Sequence, residues 1–221
     1  MLFITGIQSF ASCRDIPFLR NENRVKDLHV VASQMISETP DDDLLFLDET
    51  GFNLHITKLF GQSPKVKKAT NIVPASQGQN LSVIALISCR GLEAYQVTEG
   101  AINVELFCDF LEIFDEEMLI NRKIVMDNAR WHYNEEAQRM VSERGCEVVF
   151  NAPYSPQLNP IEEVFSFAKQ RYRCICPLAD MRDIMRQYVH EIFNGLFTDN
   201  FTAYLAHLRE WAEKGINRED F

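Results

Sequence analysis

Nowhere in the 221 residues does an apolar run approach the ~20 needed to cross a bilayer. The apolar opening, MLFITGIQSF, is short, with neither a basic leading region nor a small-residue cleavage site, so it does not read as a secretory signal. These absences predict an intracellular protein with no membrane partner, in the nucleus of a eukaryote or the cytoplasm of a bacterium. The six cysteines include no CxxC pair, and only Cys174 and Cys176 are close in sequence, which excludes zinc-finger spacing and predicts reduced structural thiols. Internal repeats and low-complexity stretches are also lacking. Between Thr50 and Leu92 there is no Asp or Glu at all.

What is present is a chain rich in apolar residues, 46% of the total with 16 phenylalanines, which argues against disorder. A chain of this length buries roughly 70% of its unfolded surface and needs no disulfide or metal to fold. The net charge of −10 speaks against a general nucleic-acid binder, which is usually basic. The distribution of charge says more than its sum. The acid-free window holds Lys58, Lys65, Lys67, Lys68 and Arg90, five cations in a chain that is otherwise −15. Such a patch can hold a phosphate backbone or be an ordinary solvated loop.

Apolar periodicity predicts a helix over 20–38, with Val25, Leu28, Val31, Ala32 and Met35 on one face. LLFLD (44–48) reads as a buried strand ending on Asp48, followed by strands at 53–60, 81–89 and 92–100 joined by short links and therefore antiparallel. A helix is predicted over 103–118 with Asn103 as N-cap, then a strand ending on Asp127, a helix over 134–144 capped by Asn134, a strand at 146–150, and helices from Pro160, over 178–193 and over 198–214. A meander that turns into βαβ units gives an α/β fold: a mixed five-stranded sheet flanked by helices, with extra C-terminal helices. An RNase H-like fold has this order, as do other α/β folds. The implied division is a helical linker segment (1–42), a catalytic domain (43–176) and C-terminal helices packed on it (177–221). The aromatic residues of that last part, Tyr188, Phe193, Phe197, Tyr204 and Trp211, read as core or as a dimer interface.

Three carboxylates stand out by position. Asp48 and Asp127 each follow a buried apolar run directly, where open α/β sheets place ligands, although either could simply mark an exposed strand end. Glu162 sits in N-P-I-E-E with Asn159 placed to cap the helix and Pro160 at its first turn, so on spacing alone it reads first as a capping glutamate. Glu162, Ser166, Lys169 and Arg173 share one helical stripe beside an apolar stripe of Ile161, Val164, Phe165, Ala168 and Tyr172. Three such carboxylates suit Mg²⁺ or Mn²⁺, and two ions about 4 Å apart serve in-line phosphoryl displacement.

The segments LLFLDETGFN, IVMDNARWH and YSPQLNPIEEVF resemble the three signature blocks of the mariner-type DDE transposases, members of the RNase H-like superfamily. The 34 residues between Asp127 and Glu162 match the spacing of one large branch of that family. The resemblance runs from about Asp43 to Arg173. It implies that Asp48, Asp127 and Glu162 bind two Mg²⁺ (or Mn²⁺) ions, and that Glu163 is the wrong neighbour for the third ligand. It implies DNA strand cleavage at the ends of a transposable element, then attack by the freed 3′-hydroxyl on target DNA, usually at a TA step, which is recombination by integration. Asn128 and His132 match motif positions and would have positioning roles. Lys58, Lys65, Lys67 and Lys68 fall where relatives have a DNA-contacting loop, and Lys169 and Arg173 follow Glu162 on its face. Relatives work as homodimers.

Members of the family carry helix-turn-helix DNA readers before the first catalytic block. Only 47 residues precede Asp48 here, with one clear helix. The resemblance therefore implies a catalytic fragment, a reader on a separate subunit, or a gene that has lost it. Three functions remain open on the sequence: an active transposase catalytic domain, a domesticated relative serving as a DNA- or protein-binding scaffold without catalysis, and another RNase H-like nuclease.

Overall fold

A computed structural model describes residues 21–53, 80–114, 116–127, 134–175, 182–197 and 199–220. Five strands form one sheet: β1 (Leu44–Phe52), β2 (Leu81–Ser88), β3 (Gly91–Glu99), β4 (Lys123–Met126) and β5 (Glu147–Phe150), in the order β3-β2-β1-β4-β5. The β1–β2 and β2–β3 pairs are antiparallel, while β1–β4 and β4–β5 are parallel. The sheet is the mixed one expected. The strand predicted at 53–60 falls, apart from Asn53, outside the described residues, as does the Lys58–Lys68 segment.

Among the described residues, seven α-helices cover the two faces: α1 (Asn23–Ser37), α2 (Val104–Glu112), α3 (Glu116–Leu119), α4 (Glu135–Glu143), α5 (Ile161–Ile175), α6 (Arg182–Leu196) and α7 (Thr202–Ile216). Because strand side chains alternate, β1 feeds two cores. Leu44, Phe46 and Phe52 pack with α1, α5, α6 and α7, whereas Leu45 and Leu47 pack with α2 and α4. All five residues of the predicted α5 stripe are buried. Phe52, near the end of β1, meets Tyr172 of α5 edge-on at 5.3 Å and Phe193 of α6 at 6.0 Å. Such pairs add ~0.5–1.5 kcal/mol each beyond area burial and fix α5 against the sheet.

Asn103 and Asn134 do cap α2 and α4, accepting from the backbone N–H of Leu106 at 2.9 Å and of Glu136 at 2.9 Å. Four expectations need correction. The α1 stripe is rotated: Val25, Ala32 and Ile36 are buried, while Leu28 and Val31 face solvent. The helix expected over 103–118 ends at Glu112, because Phe114 turns into the core, and resumes as the single turn α3. Strand β1 does not stop at Asp48. Its pairing with β2 continues from Asp48↔Ala85 to Phe52↔Leu81, so Asp48 lies inside the strand. Of the C-terminal aromatics, Phe193 is core and Tyr188, Tyr204 and Trp211 pack against it, but Phe197 is exposed. Gly91 opens β3 with φ +137°, and a Cβ there would lie 2.6 Å from the backbone carbonyl oxygen of Asp199, so the β2–β3 turn admits no side chain.

Candidate active site

The register explains how two distant aspartates meet. Leu44 lies beside Lys123 and Phe46 beside Val125. Two residues further on, the same parallel register brings Asp48 next to Asp127, just where the β1–β4 ladder has ended and the backbones are free to separate. Alternation settles the face. Phe46 and Val125 both lie in the core under α5, so Asp48 and Asp127 project to the α5 side. Asp48 thus marks the end of the parallel pairing, though not of its strand. The N-terminal turn of α5 delivers Glu162 to the same place. Asp48, Asp127 and Glu162 line one open cleft of about 500 Å³.

Asp48 is only 7% exposed. Its Oδ1 accepts from the Glu49 N–H at 2.7 Å and its Oδ2 from Asn159 Nδ2 at 2.9 Å. Burial, reinforced by the charge of Asp127, pushes its carboxyl up to about 8, with the Glu49 N–H opposing and Glu162 and Glu49 adding to the rise. The carboxyl of Glu162 is also raised. Loss of hydration in the cleft is the main cause, Lys169 pulls it down, and Asp127 raises it. Glu162 is exposed as a residue, so its shift is the weaker constraint. Asp127 raises the proton affinity of both Asp48 and Glu162, and Glu162 raises that of Asp48, so the site is short of positive charge.

Asn159 was expected to cap α5, and it does something else. Its amide turns to Asp48, its side chain is buried, and its Oδ1 has no hydrogen-bond partner. Helix α5 begins instead on backbone bonds, from Glu162 N to the Asn159 carbonyl at 3.1 Å and from Glu163 N to the Pro160 carbonyl at 3.1 Å. The capping alternative for Glu162 finds no support, since its carboxylate makes no hydrogen bond among the described residues. Its neighbour Glu163 is held elsewhere: Glu163 Oε1 lies 2.7 Å from His207 Nδ1 on α7, and His207 Nε2 accepts from Trp211 Nε1 at 2.9 Å. Indole can only donate, so the second ring nitrogen carries the proton and donates to Glu163. One glutamate of the pair faces the cleft and the other ties α5 to α7.

The remaining wall is the loop between β5 and α5. Asn151 N bonds the Met126 carbonyl at 2.8 Å, and Asn151 Nδ2 bonds the Ser155 carbonyl at 2.9 Å, so the loop is pinned to the strand that carries Asp127. Its tip, Tyr154, has φ +59° and borders the cleft. Sequence reasoning missed Asn159, Asn151 and Tyr154 as site residues. All three lie in or beside the YSPQLNPIE block, but their side-chain chemistry alone reads as cap and turn.

Lys169 lies close enough to Glu162 to act on it electrically, and Arg173 follows on the same helix. Arg90, the fifth cation of the acid-free window, sits at the opposite end of the sheet and pairs with Asp42 at 3.2 Å. Asn128, His132 and Lys58 to Lys68 lie outside the described residues. Among the described residues no three His, Cys, Asp or Glu side chains are gathered closely enough to hold an ion as they stand. The oxygen-only donor set, the proton affinity of Asp48 and the orphaned Asn159 oxygen nevertheless fit a hard divalent cation drawing the carboxylates inward. No helix of the described residues is long and apolar enough to cross a membrane.

Comparison with known proteins gives the same picture. Residues 43–184 match the sequence profile of the DDE superfamily endonucleases. Among curated proteins none is similar enough in sequence to match. Solved structures are similar at low identity. The Mos1 transposase paired-end complex with left transposon end superposes with a TM-score of 0.77 at 15% identity, over 98% of this chain and 68% of that one. The catalytic domain of Mos1 mariner transposase superposes with a TM-score of 0.65 at 15% identity, over 96% of this chain and 100% of that one. The fold is thus that of the RNase H-like catalytic domain of a mariner transposase, and the match over most of its length establishes that this chain belongs to the DDE endonuclease superfamily.

Proposed function

We propose that the chain is a transposase catalytic domain that cuts and joins DNA with Asp48, Asp127 and Glu162 as the triad holding two Mg²⁺ or Mn²⁺ ions. The observation that carries this reading is that carboxylates from β1, from the position just past β4 and from the first turn of α5 line a single cleft. Bound there, divalent ions supply Lewis-acid activation of a water or a 3′-hydroxyl and stabilisation of the leaving oxygen. The chain's own part is positional. The parallel register sets the two aspartates side by side, Asn159 and the Glu49 N–H fix the orientation of the Asp48 carboxylate, and Lys169 offsets part of the charge on Glu162.

Support for the DNA substrate comes from the family and from relatives of the same fold. Solved Mos1 structures include a strand transfer complex and paired-end complexes with Mn and with Mg. By the same resemblance we assign attack at a TA-type target, a homodimeric working form, phosphate contacts to Lys58, Lys65, Lys67, Lys68, Lys169 and Arg173, and positioning roles to Asn128 and His132. Recognition of the transposon ends falls to a DNA reader, on this gene product or on a separate subunit.

The test is nicking of supercoiled plasmid by the purified chain with Mg²⁺ or Mn²⁺ and with chelator. Nicking is expected only with metal, and Asp127→Ala should lower it about 10²–10³-fold, as for other groups whose loss removes transition-state charge stabilisation. Metal-dependent nicking that survives in Asp127→Ala would sink the triad.

A further inference from the structure

Helix α5 presents two neighbouring glutamates, and the cleft uses one. Glu162 lines it, while Glu163, about 100° further round the helix, reaches across to α7. One peptide unit joins the two, so whatever fixes Glu163 also limits where Glu162 stands. Glu163 is fixed by a row of side chains. Its Oε1 lies 2.7 Å from His207 Nδ1, and His207 Nε2 accepts from Trp211 Nε1 at 2.9 Å. The His207 and Trp211 rings meet edge-on at 6.1 Å, and Lys214 Nζ stands 4.2 Å from the centre of the Trp211 ring. His207, Trp211 and Lys214 follow at intervals of four and three residues, on one face of α7.

Stability does not account for this row. The side chains of Glu163 and His207 remain 40% and 48% exposed, and a polar contact so placed contributes little to folding while it immobilises both partners. The first turn of α5 has a need that it does meet. Asn159, the residue placed to cap that turn, gives its amide to Asp48 instead. Ile161, Val164 and Phe165 bury the turn against the sheet, but apolar burial is non-directional. It keeps α5 in place without setting its rotation to within the roughly 10–20° that a working site requires. A hydrogen bond is directional, and this one starts from a firm base. Leu205, Leu208 and Ala212 seat α7 in the core, and Arg209 donates to the Ile36 and Thr39 carbonyls. The indole N–H of Trp211 in turn orients the His207 ring and leaves its proton on Nδ1, facing Glu163.

We infer that His207 is a positioning residue for the metal site. Acting through Glu163, it sets the rotation of the first turn of α5, and so the approach of Glu162 to Asp48 and Asp127, and it keeps the second glutamate out of the cleft. The inference rests on the metal-dependent reading above and adds to it a support that lies outside the cleft, on α7. Loss of a group that orients a metal ligand from behind typically lowers metal affinity by roughly 10–100-fold, and a support that acts through one further residue belongs at the lower end.

The test measures Mn²⁺ binding by the full chain without DNA, from the electron paramagnetic resonance signal of the free ion. Wild type should bind Mn²⁺, and Asp127→Ala should bind it far more weakly. His207→Ala should bind about tenfold more weakly than wild type, while its melting temperature without metal stays within about 2 °C. His207→Asn, whose side-chain amide sets a donor near the position of Nδ1, should recover most of the affinity. In a Glu163→Ala background, His207→Ala should have no further effect, because the link is already cut. Wild-type affinity in His207→Ala overturns the positioning role and leaves the triad standing. So does a loss that His207→Asn does not recover, that is equal in the Glu163→Ala background, or that comes with a melting temperature several degrees lower, since His207 would then act on the fold at large. A wild-type chain that binds no Mn²⁺, or Asp127→Ala that binds it equally well, overturns the triad and the positioning role with it.

Discussion

At the scale of single residues, Asp48 carries the conflict between folding and function. It is buried, it has two donors, and it still holds its proton up to about 8 against an ordinary value of 3.8. The folded chain therefore binds that proton more tightly than the unfolded chain does. Between those two values unfolding releases a proton, so the contribution of Asp48 to stability is fully present below about 4 and declines as pH rises towards about 8. Asp48→Asn removes the ionisation and keeps the shape. Without divalent metal, its melting temperature should match wild type at pH 4 and below and exceed it by several degrees at pH 8, and added Mg²⁺ should narrow that gap by stabilising wild type only. Melting curves of the two proteins across pH 4–9 decide it, and parallel curves would show that Asp48 is not the group under strain. Asn159 teaches the complementary lesson. Its side chain could serve either helix cap or carboxylate, and only the folded geometry, which places Asp48 within 2.9 Å, determines which.

At the scale of elements, the sheet was legible because its strands are short apolar runs with clear breaks, and the α5 stripe was legible because five apolar residues recur at helical spacing and all are buried. The sequence misleads where tertiary contacts override periodicity. Helix α1 has apolar residues on two faces, and contact with α7 selects Val25, Ala32 and Ile36 over Leu28 and Val31. Nothing local could foretell the anchor of that contact. Arg209 of α7 reaches the C-terminal end of α1, donating to the Ile36 carbonyl at 2.5 Å and the Thr39 carbonyl at 2.6 Å while pairing with Asp41 at 2.5 Å. One guanidinium satisfies carbonyls that the helix end leaves open and holds the turn that leads into β1. Arg209→Ala should cost about 2 kcal/mol, read as a loss of roughly 4–8 °C in melting temperature for a chain of this size, and Arg209→Lys should recover only part of it because lysine lacks the fork. An Arg209→Ala chain as stable as wild type would mean that α1 and α7 are joined by apolar packing alone.

At the scale of the whole molecule, a net charge of −10 and a pI near 5.0 set this chain against its proposed substrate, since both are polyanions. The cleft makes matters worse locally, because its carboxylates face the phosphate that is to be cut. Divalent ions relieve the repulsion at the centre, but they reach no further than the nucleotide in the cleft, and salt screens surface charge beyond about 10 Å. Holding a duplex needs cations along its path, and the chain concentrates four of its 22 lysines and arginines in the eleven residues from Lys58 to Lys68. If that segment tracks phosphate, the DNA affinity of the chain should fall with salt along a line whose slope counts the contacts, about 0.9 for each phosphate neutralised. Replacing Lys58, Lys65, Lys67 and Lys68 together by Gln should weaken binding of any duplex, without regard to sequence, and make the slope shallower by up to about 3.6. The same variant should keep the wild-type melting temperature and its metal-dependent stabilisation, because the triad is untouched. Binding isotherms at several salt concentrations, with Ca²⁺ held constant, give both slopes. An unchanged slope would take these lysines off the DNA path and leave Lys169 and Arg173 on α5 as the cations to replace next.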